Sequence, residues 1–179
     1  VRMSKRSGNF ELLSDVIDAV GVDVARFFYL NRKADSHLEF DLDIALKKTD
    51  ENPVYYIQYA LVRMKSILEK ASKIDVFSSG VKDGKDLLNS ETAELKAPEI
   101  SILKKICLFG EVLNTIESGY QTHLLTTYSY ELAQQFHAYY NSSRVIDQEN
   151  IETSCMRLAI IEAIKNTLEL TLDLLGLSK

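Results

Sequence analysis

Asn52-Pro53-Val54-Tyr55-Tyr56-Ile57-Gln58-Tyr59-Ala60 opens what reads as the longest clean helix of the chain, and the other segments read as support for it. Asn52 suits an N-cap, because its short amide side chain can accept from the unpartnered N–H groups of a first helical turn. Pro53 suits the position after it, where a missing N–H forfeits no hydrogen bond. Val54, Ile57, Leu61, Met64 and Leu68 then recur in steps of three and four, which predicts a helix to about Ser72 with one apolar stripe in the core. At about 100° per residue, Tyr56, Tyr59, Arg63 and Lys70 fall together on the far side, away from that core. Two aromatic planes beside a guanidinium and an ammonium group suit the stacking of unpaired bases and the holding of their phosphates. Tyrosines on a bundle helix also serve as amphipathic packing residues with hydroxyls at the rim. The spacing alone leaves both readings open.

Working outward, the upstream residues Leu12, Leu13, Val16, Ile17 and Val20 predict a helix that stops at Gly21. Asp23 is expected to cap a second short helix carrying Val24, Phe27, Phe28 and Leu30. Between Ala34 and Asp43, Leu38, Phe40 and Leu42 alternate with His37, Glu39, Asp41 and Asp43, the pattern of a brief extended segment or turn. Its regular acids suit a solvated face better than an acid/base pair. The first ten residues form a basic, small-residue loop that reads as cut from something longer. Arg2, Lys5 and Arg6 in it suit either a polyphosphate or plain solvation.

Downstream, residues 73–97 read as a long polar loop with at most a turn of helix near Leu87 and Leu88. Pro98 then opens a long helix whose apolar face is Ile102, Leu103, Ile106, Phe109, Leu113 and Ile116. A further helix carries Leu125, Tyr128, Leu132, Phe136 and Tyr139 and ends near Asn141-Ser142-Ser143. The last carries Cys155, Leu158, Ile161, Ile164, Leu168, Leu172 and Leu175 and stops at Gly176. The expected fold is therefore all-α, an up-and-down bundle over residues 51–179 preceded by a short helical segment over residues 1–50.

The totals narrow the function classes. The 179 residues, 46% hydrophobic and 26% charged, are those of a globular protein rather than a disordered one. No apolar run approaches a membrane span and no leader pattern is seen, so a cytoplasmic protein without a membrane partner is expected. The net charge of −5 argues against a general nucleic-acid coat and leaves room for a local, shape-specific site. Cys107 and Cys155 each sit on an apolar helical face and read as small buried hydrophobes in a reducing compartment. His37, His123 and His137 lack ligand-like spacing, so no metal site is expected. No Gly-rich phosphate motif, serine elbow or HExxH sequence occurs in the bundle.

Arg2-Met3-Ser4-Lys5-Arg6-Ser7-Gly8-Asn9 resembles the KMSKS signature loop of class I aminoacyl-tRNA synthetases, in the KMSKR-x-GN form familiar among bacterial arginyl-tRNA synthetases. The stretches Ala34 to Asp43 and Asn52 to Ala60 resemble the continuation of the same family. Cysteinyl and other class I enzymes share the loop but are not expected to carry both stretches. Tyr128 to Ala133, Arg144-Val145, Arg157-Leu158 and Leu174-Leu175-Gly176 resemble that family's helical anticodon-binding domain, so the likeness runs along nearly the whole chain. Two departures are Phe109-Gly110-Glu111 in place of Phe-Pro-Glu and Tyr120-Gln121-Thr122-His123 in place of Tyr-Glu-Pro-His, where altered helix starts are expected.

The resemblance implies attachment of arginine to its tRNA with ATP as substrate, together with Mg, in a full-length enzyme. The piece in hand is expected to be monomeric, to bind tRNA, and to neither hold ATP nor catalyse. It implies that Lys5 is the catalytic cation on the triphosphate, within an ATP-phosphate loop of Arg2, Met3, Ser4 and Lys5. It implies that Tyr56, Tyr59 and Arg63 meet the anticodon loop, which is the face the helical spacing sets opposite the core stripe. The alternative from another class is a helical protein-interaction module with no nucleic-acid partner, which the acidic total favours.

Overall fold

The structure, a computed structural model, describes residues 12–33, 35–36, 40–74 and 95–179. Among them the regular structure is helical: α1 (Leu13–Val20), α2 (Val22–Leu30), α3 (Leu42–Leu46), α4 (Pro53–Ser72), α5 (Ala97–Cys107), α6 (Phe109–Gly119), α7 (His123–Ser142) and α8 (Ile151–Leu175). The all-α bundle expected from the apolar spacing is what forms. The loop at residues 1–9, most of the 73–97 stretch with Leu87 and Leu88, and Ala34 and residues 37–39 of the acidic stretch lie outside the described residues.

The tyrosine helix α4 has the limits its sequence predicts. Asn52 Oδ1 accepts from the Val54 N–H at 3.0 Å, and Asn52 Nδ2 donates to the Ala45 carbonyl at 3.0 Å. One fully buried amide thus caps α4 and ties it to α3. Val54, Ile57, Leu61 and Met64 are buried as expected, joined by Ala60, Ile67 and Ala71, while Leu68 is only partly covered. The longest helix, however, is α8, with 25 residues against 20 in α4. Its Leu158, Ile161, Ile164, Leu168 and Leu172 are fully buried, and α4, α7 and α8 pack pairwise around this line. α5 lies on α7 and α8, and α6 lies on α7.

Four local expectations are corrected. Asp23 does not cap α2, whose N-cap is Gly21 at φ 85°; its carboxylate instead accepts the Ser178 N–H at 3.1 Å. Of the stretch expected to be extended or a turn, Leu42 and Asp43 belong instead to the short helix α3, which Asp41 starts by accepting from the Ile44 N–H at 3.1 Å. The helix expected from Pro98 through Ile116 is broken at Leu108 into α5 and α6. That break lets α5 face both α7 and α8 while α6 faces α7. Cys107 is exposed rather than buried, since it shares the outer side of α5 with the exposed Ile100, seven residues earlier; Cys155 is buried.

A buried charge organises the other end of the bundle. Glu99 is 1% exposed, and its Oε2 accepts the Lys96 N–H at 2.8 Å, closing the first turn of α5. Its Oε1 accepts from Arg157 Nε of α8 at 3.1 Å and from the Tyr139 hydroxyl of α7 at 3.3 Å. Arg157 Nη1 donates onward to the Arg144 carbonyl at 2.7 Å. Burial, aided by Glu99, pushes the Tyr139 phenol well above its ordinary pKa, so it remains a donor.

Asn52→Ala should lower the free energy of unfolding by about 1–2 kcal/mol in urea denaturation, because it removes the cap and leaves the Ala45 carbonyl without its partner. Arg157→Met alone should cost about 3–5 kcal/mol by stranding the Glu99 carboxylate, and pairing it with Glu99→Leu should recover much of that loss. Equal stability of the single and double variants would contradict this account.

Candidate nucleic-acid interface

The interface is built where α4 meets α7. Ala60 on α4 and Ala133 on α7 are fully buried, and the two helices pack against each other. Tyr56, Tyr59 and Arg63 follow one another at helical spacing on α4. Tyr130, His137 and Tyr140 do the same on the flank of α7, beside its core stripe.

His137 is the centre of this cluster. Its ring, 9% exposed, lies 4.6 Å from the Tyr56 ring at 54° and 5.7 Å from the Tyr59 ring at 18°, a stacked arrangement. Its Nε2 stands 3.4 Å from the Tyr56 carbonyl. Tyr56 also meets Tyr130 at 5.2 Å, tilted by 36°. The Arg63 guanidinium carbon lies 4.4 Å from the centre of the Tyr140 ring and 5.2 Å from that of Tyr59, within the range of cation–π attraction.

The three α4 residues named from the sequence are therefore brought together, but not on equal terms. Tyr59 is 52% exposed, with one face turned against His137, whereas Tyr56 and Arg63 are half-buried. The expectation that none of them shares the interior holds for Tyr59 and is corrected for Tyr56, which the α7 side chains cover. Lys70 is exposed further along the same helix. Arg2, Met3, Ser4 and Lys5 lie outside the described residues.

The α7 partners were not singled out by sequence reasoning, which followed the core residues of that helix. Tyr128 and Tyr139 do belong to the core, with hydroxyls donating to the Lys105 carbonyl at 3.0 Å and to Glu99. Burial, with Cys107 nearby, pushes the Tyr128 phenol up to about 12. The available signal was the second series at 130, 137 and 140, offset from that stripe.

Charge at the site is set by burial and by one cation. Desolvation holds His137 below the ordinary imidazole pKa, helped by Arg63 and opposed by the Tyr56 carbonyl and Asp50; the ring is neutral near pH 7. Desolvation likewise raises the Tyr56 phenol, with Tyr130 and Asp50 acting in the same direction. Among the described residues Arg63 makes no ion pair; its guanidinium is held by the Tyr59 and Tyr140 rings. The arrangement offers a half-exposed aromatic ring beside a positive charge, which is suited to an unpaired base and its phosphate. Among the described residues no cluster of three or more His, Cys, Asp or Glu side chains could hold a metal ion, and no helix is long and apolar enough to cross a membrane.

Comparison with known proteins shows the family. The chain is 42% identical over 179 residues to the arginine–tRNA ligase of Citrifermentans bemidjiense and 42% identical over 176 residues to arginine–tRNA ligase 1 of Halalkalibacterium halodurans. These matches cover 99% and 98% of this chain, and the chain spans about a third of the relatives' length, 31% and 30%. A solved Campylobacter jejuni structure assigned as an arginyl-tRNA synthetase superposes with a TM-score of 0.79 at 29% identity, covering 98% of this chain and 36% of that one. The Thermus thermophilus arginyl-tRNA synthetase, at 23% identity and a TM-score of 0.64 over 97% of this chain and 28% of that one, shares the fold. The sequence profile of the DALR anticodon binding domain matches residues 57–179, a span that takes in Tyr59, Arg63 and the whole α7 face, and the chain belongs to that family.

Proposed function

We propose that this chain is the tRNA-reading part of an arginine–tRNA ligase, and that its α4–α7 face receives the anticodon loop. The observation that carries the reading is the half-exposed Tyr59 ring with the Arg63 guanidinium beside it. In this proposal an unpaired base stacks on the open face of Tyr59. Tyr56 contributes its partly exposed edge, and Arg63 holds a phosphate.

The division of labour follows the helices. Residues 1–50, with α1 to α3, are the tail of a catalytic domain, and residues 51–179, with α4 to α8, are the anticodon-binding domain. The full ligase would join arginine to its tRNA with ATP and Mg as a cytoplasmic monomer. Lys5 would place its point charge on the triphosphate, with Arg2, Met3 and Ser4 shaping the loop around it. On its own the chain would bind tRNA without catalysing.

The test is titration of an arginine-tRNA anticodon stem-loop into the 179-residue chain at two salt concentrations. Tyr59→Ala should weaken binding by about 1–3 kcal/mol, the worth of one base stack. Arg63→Ala should weaken it too and flatten the salt dependence by about one phosphate contact. Binding that ignores both variants, or that is insensitive to salt, would sink the assignment of this face.

A further inference from the structure

The outer face of Tyr59 can serve as a seat only if something fixes the ring from behind. A tyrosine on an exposed helical position ordinarily samples several rotamers, and a ligand must then immobilise it. Here His137 lies parallel to it at 18° with centroids 5.7 Å apart, and is itself locked. Its ring contacts Tyr56 at 4.6 Å and Phe136 at 5.4 Å, and its Nε2 reaches the Tyr56 carbonyl at 3.4 Å. The Nε2–H tautomer is the one that can donate to that carbonyl, and burial keeps the ring neutral and able to do so.

We infer that His137 is the positioning residue of this interface, holding the Tyr59 ring as a one-sided seat for a single unpaired base of the RNA. The inference rests on the proposed function of the α4–α7 face and adds a residue and a stoichiometry to it. One face of Tyr59 is taken by His137, and Tyr56 is enclosed by His137 and Tyr130, so the pair of tyrosines presents one stacking surface rather than two. Arg63 lies over the Tyr59 ring as well, its guanidinium carbon 5.2 Å from that centroid and 4.4 Å from that of Tyr140, so it sets a positive charge next to the seat.

The experiment compares His137→Gln, His137→Phe and Tyr59→Ala in the 179-residue chain, using the same anticodon stem-loop under conditions where urea denaturation shows each variant fully folded. Glutamine keeps a donor for the Tyr56 carbonyl but no ring, whereas phenylalanine keeps the ring without the donor. The expected result is a loss of about five- to tenfold in affinity for His137→Gln, the worth of one aromatic pair, and affinity within about twofold of the parent for His137→Phe. The Tyr59 ring proton resonances should move in His137→Gln, which lacks the stacked ring, and broaden as the side chain samples other rotamers. Affinity unchanged in His137→Gln while Tyr59→Ala is weakened would overturn the positioning role and leave the interface standing. Equal losses in the Gln and Phe variants would also overturn it, because the stacked ring would then not be what matters. Unchanged affinity in Tyr59→Ala would remove the interface itself, and the inference with it.

Discussion

A carboxylate buried in a protein interior must be compensated, and the Glu99 side chain meets that demand by recruiting three helices at once. Its two oxygens take the backbone of the first turn of α5, the Arg157 guanidinium of α8 and the Tyr139 hydroxyl of α7. The apolar stripes bring these helices together, but stripes of leucine and isoleucine tolerate small rotations. A hydrogen-bonded charge does not. Tyr128 on the Lys105 carbonyl and Thr126 on Asn31 Oδ1, at 2.8 Å, add two more points that set the roll of α7 about its axis. With that roll fixed, His137 can only face α4. The geometry of the candidate interface is thus set in part by the polar contacts of Tyr128 and Tyr139 on the opposite side of the same helix.

The acidic total is compatible with an RNA-facing site because many of the acids near the bundle helices already have cationic partners. Glu169 is shared by Lys65 and Lys165, at 3.2 and 3.6 Å, and Glu131 pairs with Lys105. Arg63 is held by aromatic faces instead, so its charge is available to a ligand. A short-range cation beside a stacking surface does not need a positively charged whole. The Debye length of about 8 Å at physiological salt separates the local field from the distant acids.

The helices that could be read from the sequence were those with a strong cap and an uninterrupted stripe. Asn52 and Pro53 mark the start of α4 chemically, and Gly176 at φ 67° marks the end of α8 conformationally. What was hidden depended on partners distant along the chain. Asp23 looks like a cap until Ser178 claims its carboxylate, and nothing local announces that residues 155 apart will meet. The break at Leu108 is similarly a tertiary matter, since backbone bonds continue on either side of it, from the Leu108 N–H to the Lys104 carbonyl and from the Val112 N–H to the Leu108 carbonyl. For the candidate site, α4 spacing grouped Tyr56, Tyr59 and Arg63 as one wall. The other wall needed the relative rotation of two helices, which no single-helix periodicity contains.

Asn52 has a consequence for how the chain opens. A five-residue helix such as α3 cannot sustain itself, because nucleation costs more than so few hydrogen bonds return. The amide that starts α4 also holds the carbonyl of Ala45, so α3 persists only while the beginning of α4 is in place. The two form one cooperative unit straddling position 50, with no slack between them. A shift of the first turn of α4 is therefore coupled through one side chain to the segment before it.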